Sequence, residues 1–190
     1  MKGGPLVLAG AFLMLLSGLA GYYLHDRLTH GSPSPPAPAG PPLTSLAMRA
    51  TEGTQRPDFT LPDIEAIPRN VAEWDGKVLA VNFWATWCPP CLEEIPEFID
   101  LQTQYGAQGL QFVGVAIDDL DNVKGFIDRF GINYPILIGE QDAIRLAKIF
   151  GNDIGALPYT AIIDRTGRIV FTKRGQLSRA EAVAVIEALL

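Results

Sequence analysis

Three kinds of apolar pattern follow one another along this chain, and each predicts a different element. Near the N-terminus, Leu6 to Leu24 (LVLAGAFLMLLSGLAGYYL) runs 19 residues without a charge, and about 20 apolar residues suffice for a helix to span a bilayer. Further on, KVLAVNFWA (77–85) is a nearly continuous apolar run of buried-strand length, and LQFVGVAI (110–117) is a second buried strand. YPILIG (134–139) is a shorter strand of the same kind, and YTAIID (159–164) and RIVFTKRG (168–175), joined through DRTG, read as a hairpin. Between these runs the period becomes helical. One helix is predicted from about Pro89 to Tyr105, with Leu92, Ile95, Phe98 and Ile99 on one side, and another over LDNVKGFIDRFG (120–131), closed by Gly131. DAIRLAKIFG (142–151) also ends at a glycine, and SRAEAVAVIEALL (178–190) starts at Ser178 with Glu181 completing a capping box. DFTLPDI (58–64), broken by Pro62, suits an edge strand or hairpin. Strands alternating with helices, closed by a hairpin and a last helix, define an α/β layered domain with a mixed sheet.

Charge and proline content divide the chain further. Lys2 and the terminal amine precede the first apolar run, and Asp26 and Arg27 follow it. This asymmetry puts the N-terminus in the cytoplasm and the rest across the membrane. A cleaved signal peptide, cut after Gly18-Leu19-Ala20, is the alternative; its apolar region is ordinarily roughly 7–15 residues, so the length favours a retained anchor over residues 1–28. In the segment 29–55 that follows, six of the ten residues from Pro33 to Pro42 are proline. That density favours extended polyproline II and reads as a tether. Residues 1–56 carry four basic and two acidic side chains and residues 57–190 eleven and nineteen, which splits the net −6 into +2 and −8. An acidic domain argues against a nucleic-acid partner and fits a body held off an anionic membrane surface.

The chemistry lies in NFWATWCPPCLEEIP (82–96), which holds the only two cysteines of the chain, Cys88 and Cys91. A Cys-x-x-Cys where a buried strand meets a helix places the first thiol at the helix N-terminus, where unpaired N–H groups and the helix dipole favour a thiolate. Cys88 is therefore the expected nucleophile, and Cys91, one turn inward, the thiol that resolves the mixed disulfide. Pro89 and Pro90 suit the first turn but remove two donors beside the Cys88 sulfur, leaving Cys91 and later residues to supply amides. The expectation is a moderately lowered thiol pKa, a stiff loop and a reductant. Zinc needs four ligands, and the two histidines, His25 and His30, lie at the membrane edge; covalent haem needs a histidine where Leu92 stands. No metal or cofactor is expected beyond the redox-active pair. Trp84 and Trp87 alternate across an extended segment; Trp84 is assigned to the core and Trp87 to an exposed apolar rim on which a substrate docks.

VNFWATWCPPCLEEIP resembles the active site of membrane-anchored, thioredoxin-like TlpA/ResA proteins, and the resemblance extends over residues 56–190. It implies a thioredoxin-like fold, a central mixed sheet flanked by helices, with an added N-terminal hairpin. It implies an extracytoplasmic thiol–disulfide oxidoreductase, of a kind that often acts as a reductant in cytochrome c or oxidase maturation. Pro96 matches the proline that kinks the active-site helix, Glu94 the acidic residue kept beside the site, and Pro158 the cis-proline that faces the cysteines. The backbone of Leu157 would then pair with an extended substrate. Asn82 stands where thioredoxin has a buried aspartate; asparagine does not titrate, so the proton-transfer role passes to Glu94. Glu93 and Glu97 are read as solvated. With no third cysteine, electrons are expected to arrive from a separate thiol protein, a membrane reductase, and to leave to a protein disulfide. Two rivals are a peroxiredoxin, whose Thr-x-x-Cys spacing is not met because Thr86 lies two residues before Cys88, and a tethered binding module without catalysis.

Overall fold

The computed structural model describes residues 52–190. The apolar run 6–24 and the linker as far as residue 51 lie outside the described residues. Among those described, no helix is long and apolar enough to cross a membrane.

The order is β1 (Thr60–Pro62), β2 (Pro68–Asn70), β3 (Val78–Trp84), α1 (Pro89–Tyr105), β4 (Leu110–Ala116), α2 (Leu120–Phe130), β5 (Ile136–Ile138), α3 (Glu140–Ile149), β6 (Tyr159–Ile163), β7 (Ile169–Arg174) and α4 (Arg179–Glu187). Five strands form one mixed sheet in the order β5-β4-β3-β6-β7, with β3, β4 and β5 parallel and β6 and β7 antiparallel additions. β1 and β2 pair antiparallel as a separate ribbon, and Asp63 bridges to Leu137 at the β5 edge. Gly53, Thr54 and Gln55 already run beside β7, through hydrogen bonds between Gly53, Thr54 and Ile169 and a bridge from Gln55 to Arg168.

Both faces of the sheet are covered, which is why β3 is apolar at every position but Asn82 and buried at all of them. Alternate residues serve opposite cores. Val78, Ala80 and Trp84 pack with α1, α2 and α4. Leu79, Val81 and Phe83 pack with α3 and the β1–β2 region. Asn82 shares the first alternation and so turns a polar side chain into the α1 face. Gly114 on β4 allows Trp84 its place: a Cβ there would lie 2.9 Å from the indole Nε1 and 2.5 Å from Ile136 Cδ1.

Helix ends follow their local chemistry. Asp119 caps α2, which closes on Gly131 at φ 67°, a left-handed conformation that glycine adopts without Cβ strain. Ser178 and Glu181 form the expected capping box on α4. The buried face of α1 carries Cys91, Glu94, Ile95, Phe98, Leu101 and Tyr105. It is turned from the expected stripe, leaving Leu92 and Ile99 half-buried, because a carboxylate occupies part of the inward face.

Candidate active site

Cys88 leaves the C-terminal end of β3 in an extended conformation and is the N-cap of α1, with Pro89 and Pro90 as its first two residues. Cys88 and Cys91 are joined as a disulfide with Cα atoms 5.3 Å apart. Cys88 keeps 4% of its surface and Cys91 none, so an incoming sulfur meets Cys88. The first amides that the prolines leave are both spent. Cys91 N–H and Leu92 N–H donate to the Cys88 carbonyl at 3.0 and 3.2 Å, and no cap hydrogen bond reaches the Cys88 side chain. In this disulfide form the helix offers the Cys88 sulfur its dipole but no hydrogen-bond donor. α1 continues through Pro96, which lies on its exposed face.

Glu94 is one turn beyond Cys91 on the same buried face and is 1% exposed. Its carboxylate joins three elements. Oε1 accepts from Asn82 Nδ2 of β3 at 2.7 Å, and Oε2 accepts from the Leu177 amide ahead of α4 at 2.9 Å. Asn82 Nδ2 also donates to Thr160 Oγ1 of β6 at 3.0 Å. Burial pushes the Glu94 carboxyl up to about 7, against the pull of the Leu177 and Asn82 hydrogen bonds. The other two glutamates of this helix differ. Glu93 is exposed, and Glu97 is half-buried and pairs with Arg179 at 3.0 Å.

A second carboxylate, which the sequence reading passed over, fastens the loop before the cysteines. Asp118, 7% exposed at the end of β4, accepts from Thr86 N at 2.9 Å and Thr86 Oγ1 at 2.5 Å. It also accepts from Asp119 N at 2.8 Å and Asn122 Nδ2 at 3.2 Å. Burial raises the Asp118 carboxyl, but these hydrogen bonds, led by those from Thr86, hold it below its usual range. The available signal was positional, since sites in parallel sheets gather beyond the carboxyl ends of strands. Asp118→Ala is expected to cost roughly 1–3 kcal/mol, because it leaves the half-buried Thr86 donors without their acceptor. A carboxylate with a depressed pKa contributes stability above its unfolded value of 3.8, and loses it as pH falls through the folded one. The difference between wild type and variant in urea unfolding should therefore be full at neutral pH and shrink in acid.

The remaining expected positions gather at the same end of the sheet. Tyr159 pairs with Phe83, so Leu157-Pro158 enters β6 beside the end of β3 from which Cys88 emerges. The Leu157-Pro158 bond is cis, Pro158 is buried and Leu157 half-buried. Trp87 is 65% exposed, and Ile154, on the loop before Leu157, is 78% exposed. Asn152 braces that loop by accepting from the Ala156 amide at 3.0 Å and donating to its carbonyl at 2.7 Å. Trp84, in contrast, is 1% exposed and packs against Phe126, as expected of a core residue.

A mixed sheet with a Cys-Pro-Pro-Cys disulfide at the start of the helix after its central strand defines a thioredoxin-like thiol–disulfide oxidoreductase. The chain belongs to the Redoxin family, whose sequence profile matches residues 51–190. It is similar to thiol-disulfide oxidoreductase ResA of Geobacillus thermodenitrificans (strain NG80-2), with 33% identity over 138 residues, 72% of this chain and 77% of that one. The ResA protein of Geobacillus kaustophilus (strain HTA426) is 28% identical over 185 residues, 97% of this chain and 95% of that one. Among solved structures, a thiol:disulfide interchange protein of the thioredoxin family from Chlorobium tepidum TLS superposes with a TM-score of 0.65 at 33% identity, covering 74% of this chain and 97% of the other.

Proposed function

We propose that this chain is a membrane-tethered, extracytoplasmic reductant of protein disulfides, with Cys88 as nucleophile, Cys91 as resolving thiol and Glu94 as the base that serves Cys91. The observation that carries the reducing direction is the pair of prolines that follows Cys88: Pro89 and Pro90 have no N–H to offer its sulfur, and in the disulfide form the next two amides, of Cys91 and Leu92, are bound to the Cys88 carbonyl. A thiolate without hydrogen bonds is less stabilised, so the dithiol form is a better electron donor.

The reaction balances within the chain and its substrate. Cys88 thiolate attacks one sulfur of a substrate disulfide; that S–S bond breaks, and the departing substrate thiolate takes a proton from solvent. Cys91 then gives its proton to the Glu94 carboxylate and attacks Cys88, closing the protein disulfide and releasing the second substrate thiolate, which is protonated in turn. Two electrons have passed to the substrate, Glu94 returns its proton, and no cofactor takes part. Trp87 and the Leu157-Pro158 segment present the apolar rim and the backbone edge on which an extended substrate lies. Residues 6–24 anchor the chain in the inner or cytoplasmic membrane with its N-terminus in the cytoplasm. Residues 29–55 are the tether, and residues 56–190 are the redox domain on the periplasmic or extracytoplasmic side. A membrane thiol reductase reloads the pair, and the substrates are protein disulfides of cytochrome c or oxidase maturation, as the resemblance implies.

A redox titration tests the direction. The couple is expected nearer the thioredoxin end of the scale, about −270 mV, than the oxidant end, about −120 mV. At about 30 mV for each 1.4 kcal/mol the ends differ by some 7 kcal/mol, so a value above roughly −160 mV overturns the assignment.

A further inference from the structure

Asn82 uses its amide on one side only. The residue is 1% exposed in the middle of β3. Nδ2 commits both N–H groups, to Glu94 Oε1 at 2.7 Å and to Thr160 Oγ1 at 3.0 Å. Oδ1 is equally buried and has no hydrogen-bond partner. Buried polar atoms are rarely left in that state, and each such atom calls for a reason.

The chemistry of its two partners supplies one. Half a turn of the amide exchanges its ends, bringing Oδ1 to Glu94 and Thr160. That orientation is closed while Glu94 is ionised, because a carboxylate has no hydrogen to give. Protonation opens it. Glu94 then donates from Oε1 to Oδ1, and the Thr160 hydroxyl, which is both donor and acceptor, turns its hydrogen to the same oxygen. The Leu177 amide continues to donate to Oε2. Asn82 makes two hydrogen bonds in either orientation, and the unpaired end passes from Oδ1 to Nδ2.

We propose that Asn82 is a positioning residue whose amide turns over with the protonation of Glu94, donating to the carboxylate and accepting from the acid. The buried Glu94 thereby takes up and returns a proton without losing its partner. An aspartate at this strand position would set two carboxylates against each other, and a leucine would offer neither bond. The consequence for turnover rests on the proposed role of Glu94 as base for Cys91; the turn of the amide does not.

Few groups around Glu94 compete for that proton. On α1, Glu93 faces outward, and Glu97 is paired with Arg179 of α4. Cys88 and Cys91 are joined in the disulfide form. β6 presents the neutral Thr160, and Lys173, opposite it on β7, pairs with Glu181 at 2.5 Å. Tyr134, ahead of β5, is pushed upward by burial and then by the charge of Glu94, so it stays neutral through the range in which Glu94, raised to about 7, changes state.

Nuclear magnetic resonance of the full-length protein in lipid nanodiscs, labelled with 15N at asparagine and with the disulfide intact, tests the proposal. Above the Glu94 titration, the Asn82 side-chain N–H protons should show cross-peaks to Thr160 and Glu94. Below it those cross-peaks should vanish. Glu94→Gln should show the acid pattern at every pH, because its oxygen is held by the Leu177 amide and its nitrogen faces Asn82. Asn82→Leu, which removes a hydrogen bond to a charged group, should move the Glu94 13C titration up by about one to two pH units. Cross-peaks that persist in acid and in Glu94→Gln overturn the proposal, since the amide is then fixed and water meets Oδ1. If the amide turns while Glu94→Gln leaves the thiol titrations untouched, the switch stands and the role of Glu94 as base for Cys91 falls. A fixed amide with altered thiol titrations in Glu94→Gln sinks the switch alone.

Discussion

Cys91→Ser is expected to bring turnover on a protein disulfide down to the uncatalysed background while leaving the first covalent step intact, so that the enzyme accumulates joined to its substrate. The reason is the division of exposure between the two sulfurs. Cys88 retains some accessible surface and Cys91 has none, so the substrate disulfide is attacked by Cys88 and the resulting bond is cut from inside. The chain has no third cysteine to take over that second step. Release then depends on external thiols, whose attack is slow and limited by access. Cys88→Ser should form no adduct at all, because the remaining thiol is buried. Non-reducing gels and mass spectrometry of variants incubated with a disulfide-bonded protein separate the cases. An adduct carried by Cys91 in the Cys88→Ser variant would reverse the two roles, and unimpaired turnover by Cys91→Ser would remove the two-thiol mechanism altogether.

The strands that matter for this site were legible because they are covered on both faces. β3 and β4 had to be nearly continuous apolar runs of strand length, and they are, broken only by Asn82 and Gln111. The boundaries of α1 were also readable, since the adjacent prolines Pro89 and Pro90 suit its first turn and the apolar spacing runs out near Tyr105. The ribbon strand β2 was not. Its three residues, Pro68-Arg69-Asn70, carry no alternation, and it exists through pairing with β1 and through Asn70, whose side chain caps the following short helix with Glu73. The buried face of α1 was misjudged by a small rotation because hydrophobic spacing counts Leu92 and Ile99 and gives no weight to Glu94. The site was legible to the extent that its chemistry is local. The spacing of Cys88 and Cys91, the two prolines and the position of Glu94 one turn on all lie within one short segment. What completes it comes from far along the chain: Thr160 beside Asn82, the Leu177 amide on Glu94, and Asp118 holding Thr86. Asn82 was legible only as a residue that does not titrate. Its use as a donor depends on which strand lies next to β3, and that is a property of the sheet order.

Glu94→Gln is expected to change both the stability profile and the thiols, and the sign of the first follows from burial. The Glu94 carboxyl rises from 4.5 to about 7 on folding, so between those values the folded state holds a proton that the unfolded chain has released. Folding is therefore opposed as pH rises through that window. The penalty is absent below about pH 4.5 and complete above about pH 7, where a shift of this size amounts to roughly 3 kcal/mol. A glutamine carries no charge to desolvate, so the variant in its disulfide form should lack this decline and at pH 8 should gain part of that amount on wild type, less the loss of charge-assisted bonds from Asn82 and Leu177. Denaturant titrations at pH 4.5 and pH 8 read the difference. In the reduced enzyme the same variant should alter the thiol titrations, because a charge one turn from Cys91 is gone, and should slow turnover, because Cys91 loses its proton acceptor. Glu93→Gln and Glu97→Gln are the controls. Glu93 is exposed and Glu97 sits in a half-exposed pair with Arg179, the kind of contact worth about 0–1 kcal/mol. Acidic side chains near a helix N-terminus stabilise it by about 0.3–1 kcal/mol each whatever the thiols do. Small, equal effects from all three substitutions, with thiol titrations unchanged, would reduce Glu94 to that general contribution; a change confined to Glu94→Gln, largest above pH 7, assigns the proton chemistry to the one carboxylate that the fold takes out of water.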